Sequence, residues 1–156
     1  MPFNESEILE QERELQFARF TNADALRLGQ IIVDIATRES LTIVVDIVRS
    51  GQQLFHAALD GTAVDNDRWV ERKRRVVERF GHSSGLIRAQ LATSGLDIEE
   101  RHFVDAKEYS AFGGSFPVIV RDVGVVGALT VSGLTQEEDH ALAVRGIREF
   151  LGSDAR

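Results

Sequence analysis

The 156-residue chain contains no cysteine. That excludes disulfides, thiol nucleophiles, zinc–thiolate and iron–sulfur sites, and thioether attachment of haem. It contains only two prolines, Pro2 and Pro117, so no proline-rich linker divides it. No apolar run reaches the roughly 20 residues that a membrane helix needs. Basic residues are outnumbered, 18 Lys and Arg against 25 Asp and Glu, for a formal charge of −7. Such a surface repels phosphate backbones, so no nucleic-acid partner and no membrane partner is expected. The opening MPFNESEILEQERELQF is acidic, with no basic start followed by an apolar run. It does not read as a signal peptide, and a cytoplasmic location is the default expectation.

What is present suits one globular domain over residues 1–156: 43% of the residues are hydrophobic and 28% charged. Residues 5–19 favour a charged leading helix with Ile8, Leu9 and Leu15 as contacts, and the segment 1–20 is a candidate oligomer contact. Thr21 or Asn22 can cap a helix over 22–38, with Ala25, Leu28, Ile32 and Ile35 on one face. LTIVVDIV (41–48) and QQLFHAAL (52–59) read as a β-hairpin turning at Arg49-Ser50-Gly51. After the polar loop 60–67, RWVERKRRVVERF lines up Trp69, Lys73, Val76, Val77 and Phe80, leaving Arg72, Arg74, Arg75 and Glu78 to solvent. A short helix is expected over 84–94, ending at Gly95. Residues 96–112 are ambiguous. SFPVIVR (115–121) and VVGALTVS (125–132) form a second hairpin, with Pro117 on an edge strand or at a bulge. Thr135 and Glu138 make a capping box for a last helix to about Leu151. Two hairpins without crossovers predict an α+β domain with an antiparallel sheet.

Gly81-His82-Ser83-Ser84-Gly85 matches G-x-S-x-G, the nucleophile elbow of serine hydrolases. The elbow requires a strand before the serine, and VVERF has helical spacing. A helix end at Gly81 and a cap at Ser83 or Ser84 is the preferred reading; Ser83 as a nucleophile stays a remote alternative. The basic run from Arg68 to Arg79 is interleaved with Glu71 and Glu78 and reads as a solvated helix face. His140 falls on the core-facing stripe with Ala143, Val144, Ile147 and Phe150. It is either a buried neutral imidazole or a ligand for a metal, haem or anion. His56 sits in a strand; His82 and His102 sit in loops. Gly113-Gly114 and Gly127 are not explained by turns alone. Trp69, if buried on the sheet, would cost about 3–5 kcal/mol on mutation to alanine.

VDIVRSGQQLFHAALDGTAVDNDRWVERKRRVVERFGHSS and YSAFGGSFPVIVRDVGVVGALTVSGLTQEEDHALAV resemble the GlcG/HbpS-like family, often called the haem-degrading domain family. The closest likeness is to an uncharacterised branch sharing D-N-x-x-W-x-x-R-K and G-G-x-F-P. The resemblance implies a profilin-like α-β-α layering, with helices on both faces of the sheet, and symmetric homo-oligomers. It also implies a ligand site near Gly113-Gly114, the Ser132-Gly133-Leu134 turn and the helix that follows. Some relatives bind or degrade haem. Members of the branch often carry His where this chain has Phe112.

Two functions are compatible. One is an oligomeric protein binding haem or a small organic acid through His140, Gly113, Gly114, Ser132, Gly133, Tyr109 and His82, with no metal site. Haem would need His56, His82, His102, His140 or Tyr109 as axial ligand, and backbone N–H groups from Gln136 onward could hold a carboxylate. The other is an assembly module without chemistry, docking through its leading helix. No complete catalytic constellation is present, so enzymatic turnover is left open.

Overall fold

The computed structural model describes residues 3–154; positions 1, 2, 155 and 156 of the expected single-domain span lie outside the described residues. The elements are α1 (Glu5–Glu14), α2 (Asn22–Arg38), β1 (Val44–Arg49), β2 (Gln52–Ala58), α3 (Val64–Phe80), α4 (Ser84–Ser94), α5 (Ile98–His102), β3 (Ser115–Val120), β4 (Gly124–Ser132) and α6 (Gln136–Asp154). The four strands make one antiparallel sheet in the order β2-β1-β4-β3. This is the α+β class read from the hairpins. Pro117 lies on the edge strand β3, where its missing N–H costs no ladder bond toward a further strand.

Side-chain alternation gives the sheet two unlike faces. Val45, Ile47, Phe116, Val118, Leu129 and Val131 join Leu28, Ile32 and Ile35 of α2 and Ala143, Ile147 and Phe150 of α6 in the main core. Each is at most 1% exposed. Burial at that level contributes roughly 1.5–3 kcal/mol per large side chain. The opposite face, under α3, carries a row of polar groups. Asp46 is paired in register with His56 and Thr130, and Thr130 with Ser115. Within the row His56 Nδ1 lies 2.8 Å from Asp46 Oδ2, Gln53 Nε2 donates to the same oxygen at 2.6 Å, and the Ser115 and Thr130 hydroxyls are 2.9 Å apart, while Asp46 Oδ1 has no hydrogen bond.

Local signals hold where the chemistry is local. Thr21 Oγ1 accepts from the Asp24 N–H at 3.1 Å and Asp24 Oδ2 accepts from the Thr21 N–H at 2.8 Å, a complete capping box for α2. Thr135 and Glu138 do the same ahead of α6. Gly81 ends α3 at φ 70°, ψ 18°, the left-handed position that glycine adopts without a Cβ penalty. Ser83 then caps α4, its Oγ accepting from the Leu86 N–H at 3.1 Å. A helix precedes Ser83 and its side chain is fully buried, so the hydrolase reading is withdrawn.

Four expectations change. The leading helix stops at Glu14 instead of running to residue 19. Phe17 instead pairs with β3: its N–H donates to the Ile119 carbonyl at 2.7 Å, and its carbonyl accepts from Arg121 at 2.8 Å. α3 begins at Val64, because Asn66 Oδ1 accepts the Ala63 N–H and draws the polar loop into the helix. Arg72, Arg74 and Arg75 of α3 are not left to solvent. Arg72 donates to the Ala106 carbonyl at 2.9 Å and Arg75 to the Glu108 carbonyl at 3.2 Å, clamping the ambiguous 96–112 segment, while Arg74 lies 3.7 Å from Asp46. The leading helix also makes its contacts within the chain. Ile8 is 2% exposed, and Glu12 accepts from the Ser83 N–H at 2.8 Å. Leu9, expected among the contacts, is 43% exposed.

Candidate ligand-binding site

One face of α3 presents Asp65, Asn66, Trp69 and Lys73, whose spacing of about one turn keeps them aligned. Opposite stand Phe112, the Ser132-Gly133-Leu134 turn, and Gln136 and Asp139 at the start of α6. Together they line a cleft of about 320 Å³. That is at the lower end of small-molecule sites.

The floor is an ion pair. Lys73 is 4% exposed and Asp139 2%. Lys73 Nζ donates to Asp139 Oδ2 at 3.0 Å and to the Val131 carbonyl at 3.1 Å. Asp139 also accepts the Gly133 and Leu134 N–H groups at 3.3 and 3.0 Å. Burial pushes the Asp139 carboxyl above its usual range, against the pull of Lys73 and those two amides. Burial pushes the Lys73 ammonium down, against the charge of Asp139. Gly114 explains how the amine is housed. A Cβ on Gly114, at φ +138°, would lie 2.4 Å from the Val131 oxygen and 2.7 Å from Lys73 Nζ.

The walls are aromatic. The Trp69 and Phe112 rings meet edge to face at 5.5 Å, with Arg72 over Trp69 at 4.5 Å and Arg88 over Phe112 at 4.6 Å. The position where the resembling branch often has His is therefore a cleft wall here. The rim is set by two amides. Asn66 Oδ1 accepts the Ala63 N–H at 2.8 Å, and Gln136 Oε1 accepts the Gly113 N–H at 3.1 Å. A backbone N–H requires the oxygen in each case, so both NH₂ groups are left for the cleft.

Among the residues singled out from sequence, Ser132 and Gly133 line the cleft, and Gly113 and Gly114 border it. His140 turns away, one helical step from Asp139. Its Nε2 lies 2.8 Å from Gln11 Oε1, and its ring packs near Phe3 and Phe116 in a second cavity between α1 and α6. Burial lowers its pKa to about 4, so the ring is neutral. His82 lies 3.0 Å from Glu12 at the α3–α4 corner, and Tyr109 packs on the small cluster around Val76 and Ile87. Neither lines the cleft. Just ahead of α6, Glu138 holds the Thr135 N–H and Asp139 those of Gly133 and Leu134, and within the first turn the Glu138 N–H donates to Thr135 Oγ1.

Trp69 is a half-buried wall, not the core residue expected on the sheet. Trp69→Ala should cost about 1–2 kcal/mol, below the range for core aromatics, as read from urea melts. Lys73 continues an apolar stripe, so its spacing alone reads as a packing position. Its signal is scarcity: the chain has two lysines, Lys73 and Lys107, against sixteen arginines.

Fold and cleft together define an α-β-α layered protein with a small-molecule-sized cleft where α3 meets the start of α6. A family model described as "Haem degrading protein HbpS-like" matches residues 20–148. The "UPF0303 protein SCO2848" of Streptomyces coelicolor is 53% identical over 147 residues, covering 94% of this chain and 93% of that protein. A UPF0303 protein of Schizosaccharomyces pombe is 40% identical, covering 94% and 83%. The crystal structure of Ybr137w superposes with a TM-score of 0.88 at 33% identity, over 95% of this chain and 88% of that one. The PduOC:Heme complex shares the fold, with a TM-score of 0.67 at 20% identity over 81% and 91%. The chain belongs to the HbpS-like haem-degrading protein family.

Haem does not fit this cleft's donor set. Its iron needs an axial ligand, and none of His56, His82, His102, His140 or Tyr109 lines the cleft. No helix among the described residues is long and apolar enough to cross a membrane.

Proposed function

We propose that this protein binds a small organic acid in the cleft between α3 and α6, with Trp69 and Phe112 against the ligand's carbon skeleton. The observation that carries this reading is the orientation of the two amides. Asn66 and Gln136 line the cleft and spend their oxygens on backbone N–H groups, which leaves their NH₂ groups as the donors they can offer a ligand. The Ser132 hydroxyl and the Lys73 ammonium add donors. These four donor side chains stand against one exposed carboxylate at the mouth, Asp65, a balance that suits a carboxylate or carbonyl group. Self-association, implied by the family likeness, is part of the proposal. β2 is an edge of the sheet with no neighbour on its outer side among the described residues, and light scattering checks the mass.

The test uses shape-preserving variants. Gln136→Glu and Asn66→Asp keep the oxygen that caps the backbone and replace the donor by an acceptor. Calorimetric titration with a panel of short carboxylates should show binding to the native chain, weakened about tenfold or more in each variant, a loss of ~1.4 kcal/mol or above. Thermal melting should be nearly unchanged. Equal affinity in native chain and variants would contradict the reading. Haem is the competing arm: a saturable Soret shift abolished by His140→Ala would favour haem at the second cavity.

A further inference from the structure

We propose that Lys73 is a nucleophile that forms an imine with the carbonyl carbon of a small 2-oxo acid held in the cleft. The inference rests on the acid-binding reading of the same site and adds a covalent step to it.

Five observations converge. Lys73 is one of two lysines in a chain that otherwise uses arginine for its positive charge. A guanidinium cannot act as an amine nucleophile, whereas a lysine amine can. The amine lies at the cleft floor, and two of its three hydrogen-bond directions are taken by Asp139 Oδ2 and the Val131 carbonyl. Lys73 lines the cleft, and these two contacts leave Nζ one further hydrogen-bond direction. Asp139, at 3.0 Å, is a proton acceptor within direct reach. The NH₂ groups of Asn66 and Gln136 supply donors for the carboxylate of a 2-oxo acid. Burial moves both members of the pair in the direction that eases proton transfer from ammonium to carboxylate.

The step balances. Lys73 hands a proton to Asp139, the amine rotates about its Cε–Nζ bond to aim its lone pair into the cleft, and that pair attacks the carbonyl carbon. A C–N bond forms as the C=O π pair moves to oxygen. A proton passes from nitrogen to that oxygen through Asp139, giving a neutral carbinolamine. Asp139 then protonates the hydroxyl, which leaves as water while the nitrogen pair closes the C=N bond. The product is an iminium beside the Asp139 carboxylate. One positive and one negative charge stand at the cleft floor before and after, so no unpaired charge is buried.

The experiment treats the full chain with pyruvate and sodium cyanoborohydride, then maps the reduced adduct by peptide mass spectrometry. Lys107 is exposed and serves as the internal comparator. The adduct should form on Lys73 roughly tenfold faster than on Lys107, with a rate that saturates in pyruvate. Lys107→Arg should leave Lys73 labelling unchanged. Asp139→Asn, checked for native circular dichroism, should slow it about tenfold, the scale of a lost proton-transfer group. Labelling of Lys107 at an equal or greater rate overturns the proposal without any variant. No adduct, with Trp69 emission still responding to pyruvate, overturns the imine and leaves acid binding standing. No adduct and no emission change overturns both.

Discussion

Asp139→Ala should lower the free energy of unfolding by about 3–5 kcal/mol at pH 7, the cost of leaving a buried charge without its partner. Lys73 would remain at 4% exposure with only the Val131 carbonyl to accept from it. The N–H groups of Gly133 and Leu134 would lose their acceptor as well. Lys73→Met should cost less than Asp139→Ala. The remaining carboxyl keeps two backbone donors and can take up a proton, which its raised pKa already favours. The double variant Lys73→Met/Asp139→Asn should recover at least half of the Asp139→Ala loss, because no unpaired charge remains. Urea melts with a constant m-value measure all three. A loss under 1 kcal/mol in Asp139→Ala would mean that the pair is solvated in solution.

Stability should fall as the pH is lowered from neutrality toward 4, and His140 should account for much of the fall. The unfolded imidazole titrates near 6.5, whereas the folded one, desolvated between α1 and α6, titrates near 4. Between those values the unfolded chain binds more protons, so stability is present above pH 6.5 and is lost as pH falls through the folded pKa. The full loss is about 3 kcal/mol, from 1.36 kcal/mol per pKa unit. Asp139, whose folded pKa is raised, contributes with the opposite sign, so the comparison is made against His140→Leu. That variant should lose the His140 share of the pH dependence. Equal slopes in the native chain and His140→Leu would show that the ring titrates normally in the fold.

Much of this architecture was readable from local chemistry. The capping boxes at Thr21 and Thr135, the left-handed turn at Gly81 and the α2 stripe of Ala25, Leu28, Ile32 and Ile35 each depend on residues within a turn or two of one another. The two hairpins were readable because alternation and turn residues coincide. Distant pairings were less so. The helix signal through Leu15–Arg19 yields to Phe17, which bonds to β3 a hundred residues later. Residues 96–112 take their shape from Arg72 and Arg75, which belong to another helix.

The cleft was half legible. Its glycine corners and the Ser132-Gly133 turn were placed near a ligand site by family likeness. Its chemistry was assigned to His140, one residue from the carboxylate that faces the cleft. Successive residues on a helix are rotated by about 100°, so adjacent positions serve different faces. Lys73 and Asp139 meet across 66 residues of chain, a distance that no local pattern spans.

The most direct measurement is the emission of Trp69, the sole tryptophan, during titration with pyruvate. A saturable change that weakens about tenfold in Gln136→Glu is expected if the amide-rimmed cleft holds the acid. An emission that never responds, or that responds identically in the variant, would contradict it.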